Sequence, residues 1–596
     1  MKKFIRKHFG SFVYFYSYLR YKIFISIGLS LVVGTLDGFG LAMFLPLMQM
    51  VDGNKGDINP EQMGNMGFLV NGIKAIGLNL NLTTVLLIML AFFVLKGIAR
   101  FIEGYYRLIL QLSFIKQIRF SNVNLLSGFK YSTFVTSDSG RIQNTFSGEV
   151  ERVLKAYQSY FAAFQYGVLV FVYIFMAFTV NPQFSLLVLV GGGLANFVFK
   201  RFYRFTKDSS KKLTRELHGF QGLLMQIIGN FKYLKSTGLI YSFAENLKNS
   251  INKTQEIQKK IGLLTNWLTM IREPLVMLVI VSVILVQVNV FQQPLGLIVL
   301  SLFFFYRSLS FLMSVQTYWN NFLTVSGSLE NMTEFIDELS KNQVVYGKSP
   351  YRSFTEKLEL REMSFAYGKE NTLKNISFEI KKNQTVALVG ESGSGKTTTM
   401  NILVGLLEIE KNMFFIDGKD INDFDVRTFQ SKIGYITQDP VIFNDNLYNN
   451  ITFWSEPTAE NLAKFEEAMK RASIYDFVMN LPDKEKAMLG DNGVMISGGQ
   501  KQRISIAREL FKDIEILVMD EATSALDSET EKIIQDNLNS LFGSLTIIIS
   551  AHRLSTIKNA DKIIFLEKGE ILDVGTFEEL KTKSERFKRI VDLQTY

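Results

Sequence analysis

The chain has no cysteine and only three histidines among its 596 residues. Without cysteine there is no disulfide, no thiolate metal site and no cysteine nucleophile. His8, His218 and His552 stand far apart in sequence, which gives a histidine metal cluster little support. There is no low-complexity tract and no short internal repeat. The N-terminal stretch MKKFIRKHFGSFVYFYSYLRYK lacks a cleavable-signal pattern. Its mixed aromatic and basic residues suit an amphipathic helix at a membrane interface, over 1–22.

Apolar residues are what the chain has in excess. Mean hydropathy is +0.14, with 47% hydrophobic and 20% charged residues. That is apolar for a soluble protein and charged for a purely membranous one, so a membrane half joined to a soluble half is expected. Six spans can be drawn: about 23–48, from about 83, and about 158–180, 184–203, 263–288 and 295–317. Each is near the ~20 residues that a bilayer core requires. The connections after the second and fourth spans are basic, with Lys116, Arg119, Lys130, Arg141 and Arg152, then Arg201, Arg204, Lys207, Lys211 and Lys212. The connections 181–184 and 288–294 carry no charge. The positive-inside rule then places the N-terminus and both long loops in the cytoplasm, in a multi-pass protein of the cytoplasmic (inner) membrane. The same loops account for the net charge of +9 without nucleic acid. Segments 104–157 and 204–262 read as helices extending well beyond the bilayer, and 68–78 as a short external surface helix. A helical and then polar linker, 321–352, leads to short β-rich runs alternating with helical stretches over 353–596, the pattern of an α/β domain on a mostly parallel sheet.

Within that second half, TVALVGESGSGKTTT is a strand, a Gly-rich loop and a helix start. Gly390, Gly395, Lys396 and Thr397 fit G-x-x-x-x-G-K-[ST], in which backbone N–H groups wrap phosphates and the helix N-terminus adds positive field. Ser392, Gly393, Ser394 and Thr398 complete the nucleotide-binding stretch. Lys396 would reach the β- and γ-phosphates and the Thr397 hydroxyl would hold Mg²⁺. Further on, the apolar strand in IEILVMDEATSALD ends in Asp520 and Glu521. Two acids after a strand are, taken alone, a helix N-terminal feature. Beside a phosphate loop, Asp520 is placed to organise Mg²⁺ and Glu521 to polarise the attacking water. In ISGGQKQRISIAREL, Ser497 opens a helix whose exposed N–H groups, with Gly498 and Gly499, form a second anion site.

ISGGQ, ending in Gln500, resembles the signature motif of ABC (ATP-binding cassette) ATPases, with Ile496 in place of the usual leucine. The other elements follow in order. Tyr367 in SFAYG resembles the aromatic that stacks on adenine, and Gln438 in YITQD the Q-loop glutamine that joins the metal site. Ser524 to Asp527 are similar to the D-loop, and His552 in SAHRLS to the switch histidine. Six spans before one cassette resemble the half-transporter ABC exporters. The fold implied is an α-helical transmembrane domain (23–320, six spans with long intracellular helices) fused to an α/β P-loop ATPase (353–596). In that family the signature of one cassette closes over ATP on the phosphate loop of another, which implies ATP and Mg²⁺ as cofactors. With Glu521 and His552 both present, a homodimer with two competent sites is expected. The segment AMLGDNG, 487–493, departs from the family's acidic TEVGERG through Met488, Asp491 and Asn492, which bears on contacts between cassette and membrane loops.

The membrane half also carries Asp37, Lys96, Arg100, Glu103, Arg272, Glu273 and Arg307. Mutual neutralisation is one reading, and residues near span ends can snorkel. Four basic against three acidic residues leave a positive excess, which suits an anionic headgroup. Asp37 in TLDGFGLAMFLPLM and the sixth-span FYRSLSFLMSVQTYWNNF are similar to lipid-linked oligosaccharide flippases, which implies Arg307, Arg272 and Arg100 as substrate contacts. The expectation is ATP-driven export or flipping of an amphipathic, anionic lipid-linked glycan or lipid, with membrane lipid and a second copy as partners. A peptide or drug exporter is the alternative, and an ATP-gated channel or regulatory protein the more distant one. A soluble ABC ATPase conflicts with six spans, and an importer with a cassette on the same chain.

Overall fold

The computed structural model describes residues 2–51, 71–72, 74–75, 77, 81–180, 182–289, 295–368, 370–520, 528–550 and 557–594. The expected external helix at 68–78 lies mostly outside them. The chain divides into two compact units, one of residues 1–129 with 136–342 and the other of 130–135 with 343–596.

The first unit is helical. Its long helices are α1 (Lys22–Ala42), α2 (Leu82–Ser127), α3 (Val150–Val180), α4 (Pro182–Gly229), α5 (Ile240–Asn289) and α6 (Leu295–Lys341). At 1.5 Å per residue, the 50 residues of α5 run for roughly 75 Å, far more than a hydrocarbon core of about 30 Å. By length and composition, four described stretches are apolar enough to cross a membrane: Lys22–Ala42, Leu82–Ser127, Ser139–Thr179 and Ile240–Val286. Helices α4 and α6 stand where the fourth and sixth spans are expected. Both ends of α2 are marked by sequence: the Asn81 side chain accepts from Thr84 N at 2.8 Å, and Gly128 follows the last turn.

The N-terminal helix Lys2–Leu19 packs into this unit. Phe15 is fully buried and Leu19 nearly so. The Phe15 ring meets Phe114 at 5.6 Å and Tyr157 at 5.7 Å between centroids. Helix α6 runs unbroken into the stretch read as a linker, and Met332, Phe335 and Leu339 on it are buried.

The second unit is built on a six-stranded sheet. In chain order its strands and those of a smaller sheet are β1 (Lys357–Phe365), β2 (Leu373–Lys381), β3 (Thr385–Val389), β4 (Phe414–Ile416), β5 (Ile433–Ile436), β6 (Ile516–Asp520), β7 (Thr546–Ser550), β8 (Lys562–Glu567) and β9 (Glu570–Gly575). The large sheet has the order β9-β8-β3-β7-β6-β5 and is parallel except for β9. Strands β3 and β7 are buried at every residue, as the runs TVALV and TIIIS require of strands covered on both faces. The period of two sorts their side chains. Ala387, Val389, Ile547 and Ile549 enter one apolar core, while Val386, Leu388 and Ile548 enter the other. Each buried Ile or Leu contributes about 1.5–3 kcal/mol. A smaller antiparallel sheet, β2-β1-β4 with Lys419–Asp420, lies within the same unit.

Candidate nucleotide site

Parallel pairing brings the separate motifs to one edge of the sheet. Ser550 is in register with Leu388 on β3 and with Asp520 on β6, and Ile436 on β5 with Met519 on β6. The loop after β3, the acid ending β6 and the chain leaving β5 toward Gln438 therefore share the carboxyl edge, where open α/β sheets bind ligands. Glu521, His552 and Ser524 to Asp527 lie outside the described residues.

Two glycines give the loop after β3 its shape. A Cβ on Gly390 would overlap the Leu566 carbonyl oxygen, and one on Gly395 would overlap Leu373 Cδ2. Gly395 also has φ +102°, a conformation that favours glycine. Helix α7 (Lys396–Leu403) starts at Gly395 with no side chain capping it. Its first N–H groups thus lack a side-chain acceptor, the condition for binding an anion. The Ser394 hydroxyl is buried without a hydrogen-bond partner. Lys396 is buried, and its Nζ donates to the carbonyls of Gly390 at 2.8 Å and Glu391 at 3.0 Å. Ser392, Gly393 and Thr397 are exposed, and Thr398 is buried. An uncapped helix start, an orphaned hydroxyl and an ammonium held by loop carbonyls fit a polyphosphate.

Tyr367 follows β1 in the turn that leads to β2. Thr372 N donates to Phe365 O at 2.7 Å across that turn, and Leu373 on β2 is the residue that abuts Gly395. The small sheet thereby brings its turn against the phosphate loop. The Tyr367 ring is 45% exposed and edge-on to Phe365 at 5.1 Å. Gln438 is exposed and Asp520 half-buried. Burial, reinforced by the Asp520 charge, pushes the Tyr435 hydroxyl up to about 12.

The signature lies elsewhere. Helix α8 (Gly498–Phe511) is anchored at its end, where the Glu509 carboxylate accepts from Tyr435 N at 3.2 Å. Ser497 begins the helix about 18 Å away along its axis. Ser497 Oγ accepts from Gln500 N at 3.3 Å and Gln500 Oε1 from Ser497 N at 2.9 Å, a reciprocal capping box. Ser497 and Gly498 face solvent, and Gly499 is half-buried. The preceding AMLGDNG segment is fixed by Lys501, whose Nζ donates to Asn492 O at 2.6 Å. Val494 and Met495 beside it are 76% and 71% exposed.

Comparison with known proteins agrees with this arrangement. The family model described as ABC transporter matches residues 373–524, and that described as ABC transporter transmembrane region matches 23–316. The chain belongs to the ABC transporter family. It is an ATP hydrolase coupled to transmembrane transport. Over 82% of its length it is 28% identical to the heterocyst differentiation ATP-binding protein HepA of a Nostoc species, of which it covers 80%. It is 29% identical, over 82% of both chains, to an ATP-dependent lipid A-core flippase of Paraburkholderia xenovorans. Its fold resembles that of a bacterial Atm1-family ABC exporter solved with ATP bound, with a TM-score of 0.74 at 21% identity over 97% of this chain and 100% of that one.

The charges of the membrane unit come together only in part. Asp37 on α1 is buried, and Lys96 Nζ on α2 contacts its Oδ1 at 2.5 Å. Arg307 Nη2 on α6 lies 3.8 Å from Oδ2 of the same carboxylate, with 44% of its side chain exposed. Its guanidinium carbon stands 5.1 Å from the Phe311 ring centroid. Arg100 is exposed on α2, and the Arg272 side chain lies outside the described residues. Glu103 is buried and accepts from Ser30 Oγ at 2.5 Å. Neutralisation thus accounts for Asp37 and one lysine, with Arg307 as a second cation on the same carboxylate.

A further polar cluster in this unit was not legible in the sequence. Glu149, fully buried, ends a π-helical turn, Thr145–Glu149. Its Oε1 meets Arg152 Nη2 at 2.8 Å and His218 Nε2 at 3.1 Å. Burial alone would raise this carboxyl, but the His218 hydrogen bond and the Arg152 charge outweigh it and hold the group below its ordinary range. His218 is part of that cluster.

Proposed function

We propose that two copies of this chain form an exporter that uses ATP to move an amphipathic, anionic lipid-linked glycan across the cytoplasmic membrane. Arg307 carries the choice of an anionic substrate. One buried carboxylate is shared by two cations, and the cation farther from it is the more exposed. A phosphate offers a guanidinium the second, forked partner that Asp37 does not fully supply. Exposed Arg100 supports a basic cavity, and Arg272 is included on sequence grounds.

In the cassette, the backbone from Gly390 to Gly395, with Ser392, Ser394 and Thr398, cradles the phosphates. Lys396 leaves its loop carbonyls for the β- and γ-phosphates, and Tyr367 stacks on the base. Thr397, Gln438 and Asp520 hold Mg²⁺, which neutralises the phosphate charge when bound. Glu521 polarises the attacking water and His552 contacts the γ-phosphate. Solvent-facing Ser497 and Gly498 close over the nucleotide of the second copy, which is why one chain works only as half of a homodimer.

The test is ATPase rate in lipid nanodiscs, with and without a polyprenyl-diphosphate glycan, for wild type and Arg307→Ala. The wild type should be stimulated, and in the variant the half-stimulating concentration should rise roughly 10- to 100-fold, as loss of a hydrogen bond to a charged group implies. Equal stimulation of both proteins contradicts the role given to Arg307.

A further inference from the structure

The membrane unit contains a second pocket, richer in acceptors than the Arg307 site. Helices α3, α5 and α6 line a cavity of about 460 Å³. Its wall includes Tyr166 and Tyr318, stacked at 5.4 Å between centroids and 11° between planes. Glu273 supplies a carboxylate, and Thr269, Ser314 and Thr317 supply hydroxyls.

The hydroxyl protons are already committed. Thr269 Oγ1 donates to Thr265 O at 3.0 Å, Ser314 Oγ to Ser310 O at 3.1 Å and Thr317 Oγ1 to Met313 O at 2.8 Å. A hydroxyl has one proton and two lone pairs, so Thr269 and Ser314 present acceptors to the cavity. Glu273, when ionised, only accepts. No cation is among the described residues of the lining. Asn321 and the tyrosine hydroxyls add donors, and Arg100 and Arg107 lie near enough to act on Tyr166, so the surplus of carboxylate and hydroxyl oxygens suits a ligand that brings several donors of its own. A carboxylate at this depth is costly against lipid tails, so the pocket opens to water or to a bound molecule.

We propose that this cavity binds the hydroxyl-rich sugar portion of the transported molecule, with Glu273, Thr269 and Ser314 accepting from sugar hydroxyls and the tyrosine pair forming the apolar wall. The two sites are arranged along one helix. Arg307, Ser314 and Tyr318 fall at i, i+7 and i+11 of α6, on one face, and span about 16 Å along its axis. Phe311 lies between them, 5.1 Å from the Arg307 guanidinium carbon and 5.9 Å from the Tyr166 ring. A phosphate and a sugar on one molecule can reach both. The inference rests on the transport reading above for the sugar's being lipid-linked.

The full chain in nanodiscs is titrated with octyl maltoside, octyl phosphate and octyltrimethylammonium, each below its micellar concentration, while tryptophan fluorescence is followed. Saturable maltoside binding whose half-saturation rises at least about fivefold in Glu273→Ala, with a smaller rise in Ser314→Ala and octyl phosphate binding retained, is the expected result. Maltoside binding unaffected by Glu273→Ala overturns the proposal, as does saturable binding of the ammonium probe alone. Absent octyl phosphate binding together with Glu273-dependent maltoside binding removes the anionic-lipid reading and leaves the sugar pocket standing.

Discussion

The phosphate loop and the Asp37–Lys96–Arg307 cluster each hold buried charge, and they do so in different ways. In the loop, one short segment supplies nearly everything: glycines fix the backbone, the backbone supplies donors, and Lys396 is held by carbonyls of its own loop. In the membrane unit, three helices each contribute one side chain, and nothing local in sequence says which cation takes Asp37. A site written in backbone geometry is tied to a contiguous motif. A site written in side chains across helices depends on packing, and its members can change without leaving a pattern.

If that contrast holds, the loop should be intolerant of the smallest substitution. Gly395→Ala adds one methyl group at φ +102° and against Leu373. The strain, about 1–3 kcal/mol, misplaces the helix start that receives phosphate. ATP turnover is expected to fall on the order of 10²-fold. Wild-type turnover of purified Gly395→Ala would break the comparison at its strongest point.

A side-chain cluster should instead respond gradually and with pH. Glu149 has a folded pKa below its unfolded value of about 4.3. Its contribution to stability is therefore present above that value and is lost as pH falls through the lower, folded one. Glu149→Gln should cost about 1–3 kcal/mol near neutral pH, with the difference from wild type narrowing only below pH of about 4. Thermal unfolding followed from pH 7 downward reads this directly. A difference independent of pH would remove the charge from the explanation.

The same contrast explains what was legible in the sequence. The alternation of buried runs in TVALV, ILVMD and TIIIS marked the parallel strands, and the spacing of Gly390, Gly395 and Lys396 marked the loop, because each property is local. The long helices were legible in part, since 104–127 and 204–229 run without a break, but 104–157 and 204–262 are each interrupted, after Ser127 and after Gly229. The burial of Phe15 against Phe114 and Tyr157 was not legible, although Phe12, Phe15 and Leu19 do fall on one helical face. Nor was the pairing of His218 with Glu149, on separate helices, or the approach of the Tyr367 turn to Gly395. All three depend on which elements pack together. The cavity beside Glu273 belongs to this group too, because the direction in which Thr269 and Ser314 donate is visible only once the helices exist.

The most direct test of the whole account is transport itself. Proteoliposomes carrying the protein would be loaded with a fluorescent polyprenyl-diphosphate glycan, and leaflet exchange followed by quenching from outside, for wild type and Glu521→Gln. ATP-dependent movement by the wild type is expected and, if Glu521 is the carboxylate that polarises the attacking water, a loss on the order of 10²-fold or more in the variant. A wild type that hydrolyses ATP yet leaves the lipid in place, or a variant that moves it at the wild-type rate, would contradict it.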